Sequence, residues 1–278
     1  MKYLNLNPGF SPFGKGIAFK QFTFPGGEPH VKIEETFSVT DELMITHRVN
    51  SFNDIGLILL AVDALRRMSL RHISLFIPYF PGARQDRLMT SGEPFTLKVY
   101  ASLINSLNLE SVMIFDPHSD VAPALIGNVR VVSNHGFVRQ AISGLADYHL
   151  IAPDSGALKK VYALADDLET DSVIACGKIR NVGTGTLSGF EVYAEDLQGK
   201  TCVVVDDICD GGGTFLGIAK ELKRKNAGKL ILLVSHGIFS NGIQQLKECY
   251  DEIICTDAFR TIINKDVEQI QLNTNLLK

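Results

Sequence analysis

From residue 53 onward one pattern repeats: a short run of uninterrupted apolar residues, then a longer segment with apolar residues at helical spacing. NDIGLILLAVDALRRM reads as a helix ending in basic residues, which suit the negative end of a helix dipole. HISLFIPY at 72–79 has the length of a buried strand, PFTLKVYASLINSL reads as a helix with Pro94 at its first position, and SVMIFDPH at 111–118 reads as a strand. The rhythm continues through VRVVS, a helix near 136–146, HLIAPD, the helix GALKKVYALADDL and SVIACGK. It closes with TCVVVDD, the helix TFLGIAKELKRKN, KLILLVSHGIF, the helix NGIQQLKECY and EIICTD. Strands that are apolar on both faces belong to parallel sheets covered by helices, so the expectation is α/β with right-handed crossovers. At roughly 150 residues per domain, 278 residues suggest two domains. The polar break Ser133-Asn134-His135-Gly136 divides them into 1–133 and 134–264.

Charge and cysteine usage narrow the function classes. The net charge is −4, so no global basic field advertises nucleic acid or an anionic membrane, and an anionic ligand must be held by a local site. The five cysteines form no CxxC pair, and Cys202 and Cys255 fall inside apolar runs, which suits a reducing cytoplasm. The first thirty residues lack a continuous apolar stretch, and the longest apolar run, 55–62, is too short to span a bilayer. The expectation is a soluble cytoplasmic protein.

In sheets of this kind ligands bind at the carboxyl ends of the strands. Those are the places where this sequence becomes chemically unusual: Tyr79 is followed by FPGARQDR, Phe115 by DPHSD, Ala152 by PDSG, Cys176 by GKIRN and Val205 by DDICDGGGT. In VVVDDICDGGGT at 203–214, apolar residues lead into Asp206 and Asp207, then Asp210, then Gly211, Gly212 and Gly213, then Thr214 at the start of a helix. Glycines let backbone N–H groups turn inward and the helix N-terminus adds partial positive charge, so the segment can cradle a phosphate. Asp206 and Asp207 can accept hydrogen bonds from the vicinal hydroxyls of a sugar, directly or through a metal. A tight connection with a capping aspartate is the plain alternative.

That segment resembles the phosphoribosyl-pyrophosphate motif shared by type I phosphoribosyltransferases and ribose-phosphate pyrophosphokinases. PYFPGARQDR at 78–87, Gly92-Glu93-Pro94, FDPHSD, FPGGEPHVKI at 24–33, IAPDSGA and CGKIRN resemble further segments of the pyrophosphokinases. The resemblance spans about residues 24–257 and implies two phosphoribosyltransferase-like domains, each a mainly parallel sheet flanked by helices. It implies transfer of the β,γ-diphosphoryl group of ATP to the 1-hydroxyl of ribose 5-phosphate. By the same resemblance Lys178 and Arg180 would take the two basic catalytic positions at the start of a lid, KIRNVGTGTLSGF, which has no acidic residue before 191 and has glycines at 183, 185 and 189. Arg84, Gln85, Asp86 and His118 would contact ATP, with Phe24 and Glu28 reaching adenine from a neighbouring subunit. His118, beside Asp116, and Asp154 would hold Mg²⁺. Asp206, Asp207, Asp210, Gly211, Gly212, Gly213 and Thr214 would bind the ribose phosphate. A homodimer or larger homo-oligomer follows from the same resemblance, as does packing of the tail, about 265–278, on the first domain.

Three departures stand out. FPGGE arrives after only 23 residues, which weakens the expectation of allosteric control by ADP or phosphate. Gly26 stands where Asp or Asn helps read adenine. Gly211 stands where the family has threonine, which is neutral if backbone N–H groups suffice, or else opens the pocket to a 5′-substituted ribose such as ADP-ribose. A type I phosphoribosyltransferase and a non-catalytic regulatory subunit are the remaining alternatives. The first would not need ARQDR or D-x-H, and the second would not need Lys178, Arg180, His118 and Asp154.

Overall fold

A computed structural model describes residues 1–180 and 187–278, with the side chains of 179, 180, 187 and 188 also outside the described residues. The chain divides into two units, Met1–Ser133 with Gln271–Lys278, and Asn134–Ile270.

The first unit carries β1 (Lys2–Asn5), the hairpin β2 (Phe19–Thr23) and β3 (Pro29–Ile33), β4 (Glu42–Thr46), α1 (Phe52–Arg67), β5 (His72–Ile77), α2 (Thr96–Asn105), β6 (Ser111–Phe115), α3 (Val121–Leu125) and β7 (Val129–Val132). Its main sheet has the order β1-β4-β5-β6-β7 with every pair parallel. The apolar strands supply Leu4, Ile45, Leu75, Ile77 and Ile114 to a core closed by Ile58, Ala61, Val62 and Leu65 from one side of α1. Ser51 caps α1: its hydroxyl accepts from the Asp54 amide, while the Asp54 carboxylate accepts from the Ser51 amide at 2.7 Å. Residues 271–278 rejoin this unit, burying Leu272, Leu276 and Leu277, and Arg130 donates to the carbonyl oxygens of Leu277 and Lys278.

The second unit carries α4 (His135–Ala141), β8 (Tyr148–Ala152), α5 (Ser155–Asp167), β9 (Val173–Arg180), β10 (Leu187–Val192), β11 (Thr201–Cys209), α6 (Gly213–Arg224), β12 (Leu230–Gly237), α7 (Gln244–Cys249), β13 (Glu252–Thr256) and β14 (Glu268–Ile270). Its sheet order is β10-β9-β8-β11-β12-β13-β14, parallel except where β10 turns back against β9. Burial explains why these strands read so clearly: all eight residues of β12 are buried, and in β11 only Thr201 and Asp206 keep partial exposure.

The expected elements recur with shifted ends. Pro94 lies ahead of α2, whose N-cap is Phe95, because the Leu97 amide bonds to the Gln85 carbonyl and fixes the entry into the helix. The helix expected over 136–146 stops at Ala141, and α7 begins at Gln244, after a turn closed by Gly242 N–H donating to Phe239 O at 3.0 Å. Among the described residues no helix is long and apolar enough to cross a membrane.

Candidate active site

Sheet order converts sequence distance into neighbourhood. In the first unit β5 and β6 are adjacent, so the segments that follow them open into one cavity of ≈ 590 Å³ lined by Arg84, Gln85, Asp86, Arg87, Met89, Glu93, Pro94, Thr96 and His118. The turn that presents Arg84 is built on Gly82, at φ +71°, where a Cβ would also come within 3.3 Å of Leu97, Thr96 and Tyr100. Only glycine meets both demands. Asp86 is buried and its carboxylate accepts from Arg87 Nε at 2.9 Å. The Arg87 hydrogen bond outweighs burial and, with Ser119 and the charges of Arg87 and His118, holds Asp86 below the ordinary carboxylate range. Asp116, two residues before His118, is buried in a left-handed turn at φ 39°, its amide donating to Val132 O at 2.8 Å.

Phe24 and Glu28 sit on the β2–β3 hairpin, where the Phe24 amide donates to Glu28 O at 2.9 Å. Phe24 is exposed, in edge contact with Phe22 and His30 at centroid distances of 4.9 and 5.5 Å. The Glu28 carboxylate folds over Gly26, where a Cβ would lie 2.6 Å from its Oε2, so the missing side chain at 26 gives Glu28 its place.

In the second unit β8 lies between β9 and β11, so Asp154, Lys178, the last residues of β11 from Asp206 on and the 210–212 turn come to the same sheet end. Asp154 Oδ1 caps α5, accepting from the Gly156 and Ala157 amides at 3.0 and 3.2 Å, and its Oδ2 accepts from Lys178 Nζ at 2.7 Å. Burial alone would raise the Asp154 carboxyl, but Lys178 and the two amides bring it below its ordinary value. Asp206 moves the other way: burial first, then the charge of Asp207, push its carboxyl well above the usual range. The residue as a whole still keeps some exposure. Asp207 is buried and lies 3.5 Å from Lys160 Nζ on α5. The glycine loop then enters α6 through Gly212, at φ +80°, with Leu246 packed 3.3 Å from where a Cβ would stand. Gly213 faces open space, which leaves the N-terminal amides of α6 approachable by an anion.

The structure thus gathers Arg84, Gln85, Asp86 and His118 in one place, and Asp154, Lys178, Asp206, Asp207, Asp210 and the three glycines in another. The Arg180 side chain and residues 181–186, the middle of the expected lid, lie outside the described residues. Sequence reasoning quoted Arg87 and Glu93 within resembling segments but gave them no role, and it missed Met89 and Thr96 in the first cavity and Lys160 beside Asp207. Lys160 carries only a faint signal, as a basic residue two turns into the helix that Asp154 caps. Among the described residues no three His, Cys, Asp or Glu side chains form a metal cage.

A parallel α/β sheet whose strand ends present an acidic pair, a glycine cradle and a basic residue defines a phosphoribosyltransferase-type fold. Residues 136–267 match the phosphoribosyl transferase domain, and residues 16–107 match the N-terminal domain of ribose phosphate pyrophosphokinase. A ribose-phosphate pyrophosphokinase from Mycoplasma genitalium is 30% identical over 237 residues, covering 82% of this chain and 70% of that protein. A putative ribose-phosphate pyrophosphokinase 2 from Lactococcus lactis is 29% identical over 277 residues, covering 93% and 84%. The chain belongs to the ribose-phosphate pyrophosphokinase family. A crystal structure of phosphoribosylpyrophosphate synthetase from Mycobacterium smegmatis shares the fold, with a TM-score of 0.76 at 24% identity over 93% of this chain and 87% of that one.

Proposed function

We infer that the chain transfers the diphosphoryl group of ATP to the 1-hydroxyl of ribose 5-phosphate, giving phosphoribosyl pyrophosphate and AMP. The observation that carries this reading is the Arg84–Gln85–Arg87–His118 cavity of the first unit, which a phosphoribosyltransferase acting alone would not need. In the reaction the ribose 1-oxygen bonds to the β-phosphorus, the bridge to the α-phosphate breaks, AMP leaves, and the hydroxyl proton is lost. Phosphoryl transfer of this kind asks for position and for neutralisation of spread charge.

Arg84 and Arg87 supply forked donors for ATP phosphates, and Gln85, Asp86 and His118 complete that surface. Lys178, with Arg180, meets the developing charge on the transferring group. Its pairing with Asp154 keeps it at the ribose end until phosphate oxygens compete for it. The Gly211–Thr214 cradle takes the 5-phosphate, and Asp206, Asp207 and Asp210 address the ribose. The Asp154 carboxylate suits Mg²⁺, a hard cation content with one or two protein oxygens plus water and substrate phosphates. In the second unit Asp154, anchored by two amides, would offer it an oxygen, and in the first unit His118 would offer an imidazole nitrogen; when bound, the ion neutralises phosphate charge. Phe24 and Glu28 on their exposed hairpin suit contact with adenine across a homodimer or larger homo-oligomer, and the free thiols suit a cytoplasmic setting.

Purified protein incubated with ATP, Mg²⁺ and ribose 5-phosphate should release AMP. ADP-ribose as acceptor should give little, in keeping with relatives named for ribose phosphate. AMP from ADP-ribose alone would replace the acceptor, and no AMP with either would overturn the reading in favour of a non-catalytic subunit.

A further inference from the structure

Three successive glycines of the cradle face three different surroundings. A Cβ at Gly213 would meet open space, and one at Gly212 would meet Leu246. At Gly211 it would lie 2.9 Å from Asn241 Nδ2, with Asn241 Cγ at 3.7 Å and Ser240 Oγ at 3.9 Å. Gly211 is not among the positive-φ glycines, so its backbone would accept a side chain. What fills the space is Asn241, from the loop after β12, thirty residues away in sequence.

That loop is tied to the end of β11. The Ile238 and Phe239 amides both donate to Cys209 O, at 2.9 and 3.0 Å, and the Ser240 amide donates to Asp210 O at 3.2 Å. Asn241 Nδ2 then donates to Gly211 O at 3.3 Å. Because a carbonyl only accepts, the amide nitrogen and not its oxygen must face the cradle. The nitrogen carries a second hydrogen, and the side chain remains exposed to an incoming ligand.

We propose that Asn241 is a further 5-phosphate-binding residue, its side-chain amide supplying from across the gap the donor and the wall that Gly211 lacks. On this view Gly211 does not enlarge the acceptor pocket, because a different segment closes it. The proposal rests on the ribose 5-phosphate reading above, and its test separates the two.

Asn241→Ala and Asn241→Asp are assayed for AMP release and titrated calorimetrically with ribose 5-phosphate. Loss of one N–H donor to a charged oxygen should raise the KM and Kd for ribose 5-phosphate about tenfold in Asn241→Ala, with the KM for ATP within about twofold. Asn241→Asp places a carboxylate beside the phosphate. Its penalty relative to Asn241→Ala should therefore grow between about pH 5.5 and 7.5, as a phosphate monoester gains its second charge near pH 6. A purely structural role for the Gly211 contact would give a penalty that is flat with pH, and that result, or unchanged ribose 5-phosphate binding in both variants, overturns the proposal. If the wild-type protein releases no AMP yet Asn241→Ala still weakens ribose 5-phosphate binding, the reaction falls and the assignment of Asn241 stands.

Discussion

The ammonium of Lys178 is paired with Asp154 at 2.7 Å, with both side chains less than a third exposed. Replacing Lys178 by Ala should therefore do two things. It should cut kcat for AMP release by on the order of 10²–10³, the usual effect of removing a group that meets transition-state charge. It should also let the Asp154 carboxyl drift upward, since Lys178 is the main influence opposing burial there. Circular dichroism unchanged alongside a collapsed rate fits this role, and an unchanged rate refutes it. The thiols give a second check at this scale. Burial pushes Cys176, Cys209 and Cys255 up to about 12 and Cys202 to about 11, whereas Cys249 is only partly covered. Ellman's reagent should find one readily reacting thiol in the native protein and five after unfolding; four or more fast thiols would contradict the packing. Residues that announce themselves by type and spacing, such as Asp206, Asp207 and the glycine triplet, were legible in the sequence. Lys160 and Asn241 were not, because each reaches the loop through packing of an element whose own sequence pattern is ordinary.

At the scale of elements, α1 and α6 depend on their first turns for different reasons. Ser51 and Asp54 cap α1 reciprocally, so Ser51→Ala should cost about 1 kcal/mol in denaturant unfolding. Burial alone would raise Asp54, but His47 at 3.4 Å, the Asn50 amide and Ser51 outweigh it and bring the carboxyl to about 2 from 3.8. A carboxyl depressed in the folded state contributes stability that is fully present above its unfolded value and disappears as pH falls through the folded one. Asp54→Asn should thus flatten the part of the stability profile between about pH 4 and pH 2, and a profile identical to wild type in that window would remove the cap from the account. Entry into α6 is steric instead. Gly212→Ala meets both a left-handed backbone and Leu246, and should lower stability by roughly 1–3 kcal/mol and weaken phosphate binding together. The buried parallel strands were legible because their faces are apolar on both sides. Two others were not: β2, near the amino end, is exposed at four of its five residues and carries no pattern that burial would impose, and β14, near the carboxyl end, has only three residues.

At the scale of the molecule, the two units are unequal in continuity. The second runs unbroken from Asn134 to Ile270, while the first needs Gln271–Lys278. Ending the chain after Ile270 would remove three buried leucines, each worth about 1.5–3 kcal/mol, together with the carbonyl partners of Arg130. Hydrogen exchange on such a truncation should quicken across β5, β6 and β7 and leave β11 and β12 as protected as before; uniform loosening would mean the two units do not hold their stability separately. This arrangement also bears on how the protein is made. A ribosome works from the amino end, so every residue of the second unit has been synthesised before the last piece of the first becomes available. The unit begun earliest is completed latest, and while translation proceeds its unfilled leucine sockets stay open to whatever else in the cell can occupy them.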